Sequence, residues 1–156
     1  MPQGEHFTIV VEWTGNRGTG TSTYRAYARD HEITAPGKGA TIPGSSVAQF
    51  RGDAARYNPE ELLIASLSAC HMLWFLHLCA DQGIAVTSYR DDAEATMQMN
   101  ADGSGQFREA VLHPSVEAAA EANAAALQRL HERAHELCFI ARSVNFPVHC
   151  EPRVRA

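Results

Sequence analysis

The residues best suited to chemistry are four cysteines, Cys70, Cys79, Cys138 and Cys150. In a reducing compartment such thiols are usually inert and buried, and occasionally catalytic as thiolate nucleophiles. No Cys-x-x-Cys pair occurs, which argues against a zinc ribbon. Four are too few for a disulfide scaffold, and a chain of 156 residues does not need one. Cys70 lies deep in an apolar stretch, where it is either a small core hydrophobe or a thiolate nucleophile. The thiolate reading needs positive charge nearby. The start of that stretch is about three helical turns away, so an arginine from elsewhere in the chain must supply the charge. Cys138 closes the segment His135-Glu136-Leu137-Cys138-Phe139, either packed or open to a reacting partner. Cys79 lies about 13 Å along the helix from Cys70 at the usual rise per residue, too far for a disulfide.

A metal site is a competing use of the same side chains. His131 and His135 are one helical turn apart and Cys138 follows at the next turn, so the three share a face with acceptable ligand spacing. No fourth ligand is evident. His71 and His77 read as satisfied core histidines. There is no Gly-rich phosphate loop, no Gly-x-Ser-x-Gly elbow and no His-Glu-x-x-His, which removes support for those nucleotide and hydrolase chemistries.

These residues must be positioned by elements that the sequence pattern suggests. Residues 7–13 are β-branched and aromatic and read as a strand, with residues 22–28 as a hairpin partner and residues 30–34 as a third short strand. Residues 35–52, rich in Gly, Pro and Ser, read as a long loop. Asn58-Pro59-Glu60-Glu61 is a helix start, with Asn58 as cap, Pro59 in the first turn and Glu61 closing a capping box. The helix should run to about residue 82 and stop at Gly83. It is apolar nearly all round, and a Leu63, Leu67, Cys70, Trp74, His77 stripe lies at helical spacing. Strands are expected over 84–94, 95–99 and 106–113, with a turn at 101–105. A second helix should open at Pro114-Ser115 and run to about residue 137, and a closing strand should cover 144–150. The class is α+β with mainly antiparallel pairing, in a single domain over 1–156. One sheet covers only one face of so apolar a helix, and a homodimer is the simple way to cover the other.

Thirteen basic residues against eighteen acidic ones give a net charge of −5, which argues against a general nucleic-acid partner. No run approaches the length of a membrane span. The N-terminus lacks a basic segment followed by an apolar one, so no secretory signal is expected and the cytoplasm is the default compartment.

Asn58-Pro59-Glu60-Glu61-Leu62-Leu63, followed by Ala69-Cys70, resembles the OsmC/Ohr family, the osmotically inducible protein C and organic hydroperoxide resistance proteins. The family signature is an Asn-Pro-Glu helix start with a cysteine at the spacing that separates Glu60 from Cys70. Cys138 is similar to the family's second cysteine. The resemblance implies an intertwined homodimer with antiparallel sheets wrapped around long central helices. It also implies reduction of organic hydroperoxides by a thiolate, with no metal or flavin cofactor. Cys70 would attack the peroxide, Cys138 would resolve the sulfenic acid to a disulfide, and an external dithiol would restore both thiols. Glu60 would orient an arginine beside the thiolate. Arg51 is the first choice and Arg25 the second, with Arg56 and Arg29 behind them. The sequence departs from the family where Phe139 replaces the usual proline, and where His71-Met72-Leu73-Trp74 follows the first cysteine. This places the chain in an OsmC-like subgroup. The alternative is a non-catalytic protein that binds a hydrophobic ligand on the same dimeric scaffold.

Overall fold

The computed structural model describes residues 4–119 and 122–153. The chain forms two compact units, Met1–Leu62 and Leu63–Ala156.

In the first unit, β1 (Val10–Trp13), β2 (His31–Thr34) and β3 (Ile42–Gly44) form an antiparallel sheet in that order. The partner of β1 is therefore β2, not residues 22–28, which form turns. The tyrosines that suggested a strand there do another job. The Arg29 guanidinium lies 4.3 Å from the Tyr24 ring and 4.0 Å from the Tyr27 ring, and it donates to both of their backbone carbonyls. β3 lies within the expected loop. Its Pro43 cannot donate to a ladder, and an edge strand tolerates that loss. Gly44 faces His31, whose ring would sit 2.2 Å from any added Cβ. A short 3-10 turn, Ala48–Phe50, ends at Arg51, which caps it with φ 64°.

Helix α1 spans Pro59–Asp81. Its start is the expected reciprocal cap: Glu61 N–H donates to Asn58 Oδ1 at 2.8 Å, and Asn58 N–H donates to Glu61 Oε2 at 3.1 Å. Gly83, at φ 69°, follows its end. By length and composition α1 is apolar enough to cross a membrane, although the sequence shows no unbroken apolar run. Its buried stripe is Leu67, His71, Phe75 and Cys79, each one turn from the last. Cys70 lies off that stripe, contrary to the grouping of Leu67 with Cys70.

The second unit holds two sheets. β4 (Val86–Asp91) pairs antiparallel with β7 (Pro114–Ala118). β5 (Glu94–Met99) pairs antiparallel with β6 (Gly105–Leu112), and β8 (Val148–Cys150) joins β6 in parallel. Helix α2 spans Ala124–Leu137 and is capped by Asn123, whose Oδ1 accepts from Ala126 N–H at 2.7 Å. The second helix thus begins at Ala124 rather than at Pro114. Residues 114–118 instead form a strand, because pairing with β4 and burial beside it outweigh the helix propensity of the alanine-rich run. Residues 120 and 121 of the expected helix lie outside the described residues. The closing strand is shorter than expected, and residues 141–143 form a 3-10 turn.

Two apolar clusters meet the α1 stripe. Leu67 packs with Ala110, Leu112 and Val148. Phe75 and Cys79 pack with Leu130 and Ala134 of α2. His71 sits between them on the stripe. Asp91 fastens α1 to the sheets, accepting from Ser68 Oγ and, at 2.7 Å, from His113 N–H.

Candidate active site

Cys70 and Cys138 are far apart in the chain and adjacent in the structure. The two thiols lie close enough to interact, and Cys70 helps to keep the Cys138 proton in place. α1 presents Cys70 in its middle, partly exposed. Cys138 ends α2 and is 1% exposed. Burial pushes the Cys138 thiol up to about 11; the Ala141 N–H, 3.4 Å from its sulfur, acts against the rise, and the neighbouring Cys70 adds to it. Both cysteines are free thiols.

Cys70 opens onto an apolar groove of about 570 Å³, lined also by Ser66, Leu73, Trp74, His77 and Phe139. The Trp74 and Phe139 rings meet edge to face at 5.6 Å. Leu73 and Phe139 are 63% and 67% exposed. A small apolar molecule in this groove would reach the Cys70 sulfur with its polar end and rest its body on Trp74 and Phe139.

The other expected site residues belong to the first unit. Arg51 is exposed and is, among the described residues, the one non-glycine in the left-handed region. Holding a side-chain-bearing residue there costs about 1–2 kcal/mol. Arg25 is exposed and lies in a turn rather than a strand. Glu60 lies in the first turn of α1, half-buried. Among the described residues, Glu60 forms no ion pair with Arg51 or Arg25. Arg56 is committed elsewhere: it pairs with Glu32 at 2.9 Å and lies near Asp30 at 3.8 Å and Asp53 at 4.0 Å.

The histidines fall differently from the helix-face reading. His131 does not join His135 and Cys138 as a ligand set. It turns to His71, with Nδ1 3.0 Å from His71 Nε2, and Cys150 Sγ lies 3.5 Å from that same Nε2. Nor is His71 a satisfied core histidine, since its Nδ1 is buried without a partner. Burial holds His71 and His131 neutral, lowering them to about 4 and about 3, and pushes the Cys150 thiol up to about 12. Sequence reasoning missed His71 and Cys150. The signal available was the one-turn spacing of His71 from Leu67 and Phe75, which puts it on the buried stripe.

The sequence profile of the OsmC-like protein family matches residues 52–153. This chain belongs to the OsmC-like family. An OsmC-like protein of unknown function from Vibrio cholerae is 31% identical, with a TM-score of 0.86 over 96% of this chain and 100% of that one. An organic hydroperoxide resistance protein from Elizabethkingia anophelis superposes with a TM-score of 0.70 at 15% identity, over 99% of this chain and 98% of that one. The organic hydroperoxide resistance protein OhrB of Bacillus subtilis superposes at 0.64 and 16% identity, over 97% and 98%. The last two likenesses are likenesses of fold. No curated protein matches the chain. The expected OsmC-like α+β architecture, with mainly antiparallel sheets and two helices, is present.

Proposed function

We propose that this OsmC-like protein is a thiol peroxidase that reduces organic hydroperoxides through Cys70 and Cys138. The observation that carries the reading is the contact between these two thiols at the wall of an apolar groove. The Cys70 thiolate attacks the distal peroxide oxygen, the O–O bond breaks, and the alkoxide leaves as an alcohol after taking a proton. Cys70 is then a sulfenic acid. The Cys138 thiolate attacks the Cys70 sulfur and water leaves, giving a disulfide. An external dithiol reduces that disulfide and is itself oxidised. The groove favours an organic peroxide over hydrogen peroxide, because an apolar body gains about 25 cal/mol per Å² of surface removed from water.

Arg51, oriented by Glu60, is our first assignment for the cation that faces the thiolate, and Arg25 the second. The strained backbone of Arg51 supports the first choice, since such strain clusters at functional positions. The working unit in this proposal is a homodimer in the cytoplasm. Ile9 and Val11 of the first unit, 63% and 61% exposed, and Leu73 of α1 are apolar surface that a second copy would cover.

The test is turnover of cumene hydroperoxide with a dithiol reductant. Cys70→Ser should abolish it, and persistence of turnover would overturn the assignment. The openness of the groove favours a second reading, a non-catalytic protein holding a hydrophobic ligand against Trp74 and Phe139. A hydrophobic molecule co-purifying with a protein that does not consume peroxide would establish it.

A further inference from the structure

We propose that His71, His131 and Cys150 form a metal-binding site of the zinc type, separate from the Cys70–Cys138 pair. One ligand atom from each, a ring nitrogen of either histidine or the cysteine sulfur, lies within 4.8 Å of the other two. Around a tetrahedral zinc ion, with bonds of about 2.0–2.3 Å, ligand atoms sit roughly 3.3–3.8 Å apart. The observed 3.5 Å between Cys150 Sγ and His71 Nε2 already fits, the 3.0 Å between the histidine nitrogens needs to open by a few tenths of an ångström, and the remaining His131–Cys150 pair, within 4.8 Å, needs to close by at most about 1 Å.

The side chains come from three elements that other forces hold in place. His71 sits on the α1 stripe between two apolar clusters. His131 of α2 is stacked on Phe75, centroids 3.9 Å apart and planes within 10°. Cys150 ends β8, which is registered on β6 through Leu112. Both rings are buried, His71 at 1% and His131 at 3% exposure. Such preorganisation spares the ion the work of assembling its own ligands.

Protons alone serve this cluster poorly. His71 Nε2 can offer one N–H or one lone pair, and two neighbours converge on it. Either one proton is shared between His131 Nδ1 and the Cys150 sulfur, or one neighbour goes unserved. His71 Nδ1 has no partner to fix the tautomer. An ion in place of the shared proton takes a lone pair from all three atoms, and His71 then keeps its proton on Nδ1. Cys150 gives up its thiol proton to solvent as the ion binds. Two imidazoles and a thiolate are a borderline-to-soft donor set that suits zinc or copper rather than magnesium or calcium.

An entry path exists. A groove of about 460 Å³ reaches His131 and Cys150 and is also lined by His135, His149 and Glu132. It leaves a fourth coordination position to water or to His135, one turn beyond His131.

The experiment is titration of the reduced, chelator-treated protein with cobalt(II), then displacement by zinc(II). The expected result is a stoichiometric ion per chain with a thiolate-to-cobalt charge-transfer band that zinc abolishes. The band should persist in the Cys70→Ser/Cys138→Ser double variant and vanish in Cys150→Ser, with circular dichroism confirming that each variant is folded. Zinc should also protect Cys150 of the unmodified chain from alkylation, read by mass spectrometry, which covers the case of a variant that fails to fold. Three results would each overturn the site: no stoichiometric binding by the intact protein, a band retained without Cys150, or a band lost in the folded double variant.

Discussion

Closure of the disulfide should be steeply pH-dependent, because the attacking thiol is the buried one. Cys138 is 1% exposed, and its proton is held until about pH 11. The first cause is burial, which does not depend on whether Cys70 carries a thiol or a sulfenic acid. At pH 7 roughly one Cys138 in ten thousand is then a thiolate, and the fraction grows about tenfold per pH unit. The sign follows: the folded pKa is raised, so the reactive form is scarce at neutral pH and accumulates as pH rises toward 11. The perturbation is pH alone, stepped from about 7 to about 10, across which closure should accelerate about a thousandfold. The reduced protein would be mixed rapidly with equimolar cumene hydroperoxide, quenched in acid, alkylated and analysed by mass. Sulfenic acid should accumulate at pH 7 and vanish into disulfide at pH 10. A flat profile, or one that levels off near the ordinary thiol range, would refute the claim that the Cys138 proton gates closure.

Phe139→Ala should leave hydrogen peroxide turnover unchanged while lowering kcat/KM for cumene hydroperoxide. The ring is a groove wall beside Trp74, and losing its contact with an apolar substrate costs about 1–2 kcal/mol, roughly tenfold. Comparable losses with both peroxides would place Phe139 outside substrate selection. Phe75→Ala removes a fully buried ring stacked on His131 and should destabilise the protein by about 3–5 kcal/mol in chemical denaturation. A loss under about 1 kcal/mol would contradict the described core.

Helix α1 was legible in the sequence because its boundaries are local. Asn58 and Glu61 cap each other within one turn, and Gly83 supplies the left-handed conformation after its end. The start of α2 was not legible, because an alanine-rich run speaks for helix while the pairing of β7 with β4 is a long-range contact. Residues 22–28 misled in the same way: Tyr24 and Tyr27 have strand-like composition, but they serve Arg29. The identities of Cys70 and Cys138 could be read from a motif and a helix end, and their contact could not, since spacing along the chain carries no information about it. The His71–His131–Cys150 cluster joins α1, α2 and β8. A face-by-face reading of α2 alone grouped His131 with Cys138, which the fold turns instead to Cys70.

The most direct test of the peroxidase account is disulfide mapping after a single turnover of the reduced protein, in separate runs with cumene hydroperoxide and hydrogen peroxide. The account predicts a Cys70–Cys138 bridge after one equivalent of peroxide, with the Cys70 thiol consumed faster by the organic one. Slow oxidation with no preference between the peroxides, or a bridge that leaves out Cys70, would contradict it.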